Sequence, residues 1–180
     1  MKKTIFFLSF LALTSTVMAQ TLTTSSAVVK FDASTPKDAL PKAENKTVTA
    51  SLDKSTGALA FEATVNNFAF TNPTIQAHFN EEKWMNSAKF PKFIFIGKVD
   101  KINKIKFTKD GTYSVKVSGN LTVKGVAVPV SAPATVTITN GVVSATTTFS
   151  IKLKDFGITG QAIDAGKVAE KPTVAVSVQF

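Results

Sequence analysis

Cysteine and arginine are absent from the 180 residues, and histidine, tryptophan and tyrosine occur once each. Each absence excludes something. Without cysteine an oxidising compartment adds no disulfide, so stability has to come from core burial and sheet pairing. Without arginine the formal charge of +9 rests on lysine alone. Readers of base edges and phosphates lean on arginine's planar fork, so nucleic acid is not an expected partner. Weak attraction to an anionic membrane surface fits the charge better. A single histidine leaves little for acid and base catalysis. His78 stands three and four residues before Glu81 and Glu82, a helical spacing, but ligands on exposed helix turns make a poor metal site. No glycine-rich phosphate loop is present. No catalytic residue, metal or cofactor is expected, and the chain does not read as an enzyme.

Residues 1–19 read as an export signal. Lys2 and Lys3 give a basic start, residues 5–13 are apolar, and Val17-Met18-Ala19 is a small-residue cleavage site before Gln20. The apolar run is too short to span a bilayer, and no cysteine follows the cleavage point to carry a lipid anchor. The expected mature protein is residues 20–180, soluble in a periplasm or secreted, and of a size that suits one domain with a real core.

Most of that mature chain alternates. Residues 27–32 carry Ala27, Val29 and Phe31 on one face. Val48, Ala50 and Leu52, then Leu59, Phe61, Ala63 and Val65, flank the turn at residues 54–57 and predict a hairpin. Phe93-Ile94-Phe95-Ile96 is apolar on both faces, as in a buried strand. Residues 98–109 are a lysine-rich connection. Tyr113, Val115, Val117, Gly119, Leu121 and Val123 share one parity, with bends expected at Gly119 and Gly125. Residues 126–139 read as an edge or bulged strand because Pro129 and Pro133 interrupt them. Asn140-Gly141 is a strong hairpin signal. Val143 to Leu153 alternate after it, and Val174, Val176, Val178 and Phe180 close the chain.

One segment breaks the pattern. Residues 75–96 hold the only His and Trp and a dense share of the Phe. Asn72-Pro73 predicts a helix start, and Asn80 before Glu81 and Glu82 a second one. Phe90-Pro91 ends it. A helical insert over about 72–88, the only one in the chain, is expected to lie against the sheet.

The sum is an all-β fold of about eight antiparallel strands. Long strands with glycine corners fit closure into a barrel. Such an interior either fills with side chains or holds one small ligand. A filled barrel would be a structural or partner-binding module. A small outer-membrane barrel is the other alternative: the terminal Phe180 favours it, and the missing aromatic girdles speak against it.

Four stretches carry a family resemblance: Gln76-Ala77-His78-Phe79-Asn80, Lys89-Phe90-Pro91-Lys92-Phe93-Ile94-Phe95, Gly119-Asn120-Leu121-Thr122-Val123-Lys124-Gly125 and Asp155-Phe156-Gly157-Ile158. In order and spacing they resemble the YceI-like family of exported lipid- or polyisoprenoid-binding proteins. The chain departs from many members at Lys124, where they have His, and in lacking an Arg-Asp pair ahead of the helix. The resemblance implies an eight-stranded lipocalin-like barrel that carries or sequesters an amphiphilic lipid, such as a polyisoprenoid or prenyl quinone, in an apolar cavity. Phe93, Phe95, Val115, Val117, Leu121, Phe149 and Ile151 would then line it, and Phe68, Phe70, Phe79, Trp84, Met85 and Phe156 would guard its mouth. The expected partners are that apolar or amphiphilic small molecule, an anionic membrane surface touched peripherally, and a second copy of the chain as a candidate homodimer.

Overall fold

The computed structural model describes residues 20–180, so the export signal expected at 1–19 lies outside the described residues. Nine strands form one antiparallel sheet. They are β1 (Thr21–Asp32), β2 (Lys42–Asp53), β3 (Ala58–Thr64), β4 (Ala69–Phe70), β5 (Lys92–Asp100), β6 (Gly111–Val123), β7 (Val126–Thr139), β8 (Val142–Ser150) and β9 (Thr173–Gln179). The order β1-β9-β8-β7-β6-β5-β3-β2 closes on itself through β1–β2 pairing. The result is the eight-stranded antiparallel barrel expected from the alternation, with the two-residue β4 pairing the start of β2 on the edge that β3 uses further along.

Every barrel strand pairs with its neighbours in sequence, across short turns at residues 54–57, 124–125 and 140–141 and longer connections elsewhere. Lys124-Gly125 and Asn140-Gly141 both have left-handed φ at both positions (51° and 79°, 50° and 79°). They are two-residue turns of the kind whose twist matches a β-hairpin. Gly125 thus makes a turn rather than the expected bend. Gly119 serves a close approach instead: it lies opposite Gly97, and the register of β6 runs unbroken through it. A Cβ on Gly119 would fall 2.5 Å from the Gly97 Cα, and one on Gly97 2.4 Å from the Ser118 carbonyl.

Strand β1 begins at Thr21, six residues before the expected start. Its Thr- and Ser-rich first half has no clean apolar alternation, but it pairs with β2 across two register shifts. The shifted stretch is held by Asn45, fully buried, whose Nδ2 donates to the Thr64 carbonyl at 3.0 Å and whose Oδ1 accepts from the Thr47 N–H at 2.9 Å.

The helical insert is shorter than expected. Helix α1 runs Pro73–Asn80, started by Asn72, whose side chain accepts from the N–H groups of Thr74 and Ile75. It ends where a second start was expected: Asn80 Nδ2 donates back to the Gln76 carbonyl at 2.9 Å and Glu81 is extended. Residues 81–89 are turns, fixed by the N–H groups of Met85 on Phe79 and of Ser87 on Asn80. The insert is also not alone. A four-residue helix α2 (Gln161–Asp164) and a 3-10 turn (Leu153–Phe156) lie in the connection from β8 to β9.

The barrel has two unlike ends. At one, the insert and residues 151–172 fold over the rim and share a core with Val48, Phe68, Phe79, Met85, Leu153 and Phe156. At the other, the lysine-rich residues 101–110 send Ile105 into a smaller core with Leu52, Leu59, Val136, Ile138 and Val143. We call these the capped end and the lysine-rich end.

Candidate binding cavity

Inward parity is set by the pairing. Val115, Val117 and Leu121 on β6 share a face with Gly119, and their partners are Ala134, Ala132 and Val128 on β7. In a filled barrel these side chains would be buried. Here Val115, Val117 and Leu121 stay only half-buried, as do Val29, Phe61, Phe93, Phe95 and Val176, because all of them face a hollow. The cavity measures about 180 Å³ and runs between the two cores. An engineered protein cavity of about 150 Å³ with an apolar lining stays dry and admits benzene or xenon. Only Thr146 and Thr147 among the lining residues are polar, and none carries a charge.

All seven residues expected to line the interior do so: Phe93, Phe95, Val115, Val117, Leu121, Phe149 and Ile151. Phe95 keeps the hollow open by where it lies. Its ring end comes within 2.6 Å and 2.7 Å of where the missing Cβ atoms of Gly97 and Gly119 would be, so the ring rests on the glycine pair along the wall.

The six residues expected at a mouth divide. Phe68, Phe79 and Met85 reach the cavity, but as a lid rather than a rim, being 3 %, 9 % and 4 % exposed. Phe79 is the hub. Its ring centroid lies 4.9 Å from Phe70, 6.1 Å from Phe68, 6.4 Å from Phe31 and 6.5 Å from Phe93, within the range where aromatic pairs attract. Phe70 and Trp84 stand behind that lid and do not touch the cavity, because β4 and the turns after α1 hold them on its outer side. Phe156 is also off the wall. The 3-10 turn buries it in the core of the capped end, against β7 and the gap beside it.

Sequence reasoning passed over Val29, Phe31, Phe61, Val174, Val176 and Val178, which complete the wall. Their alternation carried the signal. Leu153 continued the alternation of β8, although a 3-10 turn brings it in, and Ile158 in the loop after that turn had no such signal.

The ionisable groups lie elsewhere. His78 is exposed on α1, its Nε2 4.0 Å from Glu81, and no group of three or more metal-ligating side chains converges among the described residues. The shifted carboxyls belong to turns and outer strand faces. Asp53 is brought down to about 2 by the Ser55 hydroxyl and the N–H groups of Thr56 and Ser55. For Asp32 burial works upward, yet Ser34 and Lys42 hold it below its ordinary value. The cavity can therefore hold an apolar group by excluding water from it, and offers no proton donor or acceptor that titrates.

The comparisons agree with this architecture. The sequence matches the family model for the YceI-like domain over residues 9–180. Among solved structures, BcnA of Burkholderia cenocepacia is 19% identical with a TM-score of 0.69, over 86% of this chain and 96% of its own. A polyisoprenoid binding domain from Saccharophagus degradans is 11% identical with a TM-score of 0.75, over 89% and 97%. The YceI protein of Campylobacter jejuni is 17% identical with a TM-score of 0.58, over 74% and 79%. None of the curated proteins compared matches the chain.

Proposed function

The chain belongs to the YceI-like family, and from that premise we propose that it binds the apolar tail of an amphiphilic lipid, a polyisoprenoid or prenyl quinone, as an exported carrier or sequestering protein. The observation that carries this reading is the half-buried inner face: phenylalanines and valines point inward and find no side chain to cover them. Each methylene moved from water into such a lining gains about 0.8 kcal/mol, so a prenyl chain needs no specific polar contact to be held. The polyisoprenoid binding domain among the structural neighbours supports the same ligand class. The uncharged lining supports binding rather than catalysis. Removal of residues 1–19 on export would leave Gln20 first, and the surplus of lysine would draw the protein weakly to the anionic membranes where such lipids reside.

Native mass spectrometry of protein purified without detergent tests the reading. A co-purifying lipid with an isoprenoid mass spacing is expected. Ligand-free spectra, together with no thermal stabilisation on adding a prenyl quinone, would overturn it.

A further inference from the structure

Both ends of the barrel are shut by buried side chains. Phe68, Met85 and Leu153 close the capped end at 3 to 4 % exposure, and Leu52, Ile105 and Ile138 the other at 1 to 5 %. The wall itself is incomplete in one place. Strand β7 pairs with β6 from Val126 to Ile138, but with β8 only from Ala134 to Thr139. Beyond Thr147, β8 stays with β9 and leaves β7.

The reason is written in the parity of two prolines. In a two-residue hairpin the residues flanking the turn exchange both main-chain bonds. Val126 therefore faces β6 and Thr139 faces β8, and since successive residues alternate, even-numbered residues of β7 face β6 and odd-numbered ones face β8. Pro129, Ser131 and Pro133 are the residues that would carry the β8 ladder onward. Two of the three have no N–H to give. The last stitch is a side-chain one, the Thr147 hydroxyl donating to the Pro133 carbonyl at 2.7 Å.

The opening is lined by Pro129, Ser131, Ser150 and Lys152 on its outer side. Its inner side is Val128, Val130, Phe149, Ile151 and the buried Phe156, with Asp155 beside it; Val130, Phe149 and Ile151 are also cavity wall. Main-chain groups without a strand partner thus rim a gap whose inner side chains are shared with the cavity wall. We propose that this β7–β8 seam is the doorway through which the tail of an amphiphile enters the barrel from the side. The proposal rests on the lipid-binding reading above, and an amphiphile suits it because its head can stay at the polar rim while its tail passes.

The absence of native cysteine makes the test clean. Continuing the register past Ala134 and Thr147 sets Ser131 opposite Ser150. Ser131→Cys with Ser150→Cys, joined by a short bismaleimide, bars the seam. Thr135→Cys with Thr146→Cys bridges the paired part of the same two strands. Glu82→Cys with Lys124→Cys straps the capped end, where the Lys124 Nζ donates to the Glu82 carbonyl at 3.3 Å. Uptake of a short-tailed prenyl benzoquinone is followed by quenching of Trp84, the only tryptophan. The seam bridge is expected to slow uptake by about tenfold or more, as when binding must wait for a rearrangement, while the other two bridges leave it unchanged. Unchanged uptake by the seam-bridged protein overturns the proposal, and slowing by the capped-end strap alone moves the doorway there. If the unbridged protein takes up no quinone and carries no lipid by mass spectrometry, the lipid-binding reading itself fails and the doorway falls with it.

Discussion

Strand β7 has two unlike edges. Toward β6 it is hydrogen-bonded along almost its whole length, and toward β8 over less than half. The two edges belong to the same residues, share the same flanking turn type and have equally little charge, so composition does not separate them. Parity does. Pro129 and Pro133 both fall on the β8 side, where their missing N–H groups cost the β6 ladder nothing. The expectation of an edge or bulged strand was therefore half right. The strand lies inside the closed ring without a bulge, and is an edge only where the prolines face.

The sharpest way to break this comparison is to move a proline by one residue. Ala132→Pro removes an N–H that faces β6 opposite Val117. It should cost at least about 2 kcal/mol, from the lost ladder bond and the carbonyl it strands. Ser131→Pro, one position away on the β8 parity, removes no ladder bond and only the 3.4 Å contact of its hydroxyl with Ser118, and should cost under about 1 kcal/mol. Urea melts of the two variants decide it, and equal costs would refute the parity argument.

A smaller effect sharpens the contrast from the paired side. Val115 stands on the well-zipped part of the wall opposite Ala134, yet faces the hollow. Enlarging a residue in a filled core usually costs about 1–3 kcal/mol. Val115→Phe should cost under about 1 kcal/mol or stabilise, and should lower the amount of co-purifying lipid. A full overpacking penalty would mean that the interior has no room to spare.

The smallest effect concerns a seam closed at its turn rather than opened along its length. Asp53 ties the β2–β3 turn to Ser55 and Thr56. Its folded pKa, about 2, lies below the ordinary 3.8. A depressed carboxyl stabilises the fold above its unfolded pKa and loses that contribution as the pH falls. Melting temperature should therefore drop slightly between about pH 4 and about pH 2, and Asp53→Asn should flatten that part of the profile.

Much of the fold was legible in the sequence because a barrel strand repeats with period two, and Asn140-Gly141 carries residues that accept left-handed φ. The turn at Lys124-Gly125 was not, because lysine rarely adopts the left-handed φ it has there. The cavity wall was legible for the same reason, which is why Phe93, Val117 and Phe149 could be picked out before any coordinates. The insert was not. Ile75, Phe79, Trp84 and Met85 form a helical-looking apolar set, but only α1 is helical. Nothing local distinguishes Phe79, which closes the lid, from Trp84, which backs it. Phe156 looked like a rim residue, yet a 3-10 turn buries it in the capped-end core, off the cavity wall.

What the chain determined unaided was an exposed and a hidden face for most strands, the reversals at residues 54–57 and 140–141, and, through two prolines on one parity, which edge of β7 would go unpaired. Whether the hidden faces met side chain to side chain or stood apart was decided only in three dimensions. The distance across a closed sheet depends on how many strands join and how they tilt, and that is a property of the ring and not of any one segment.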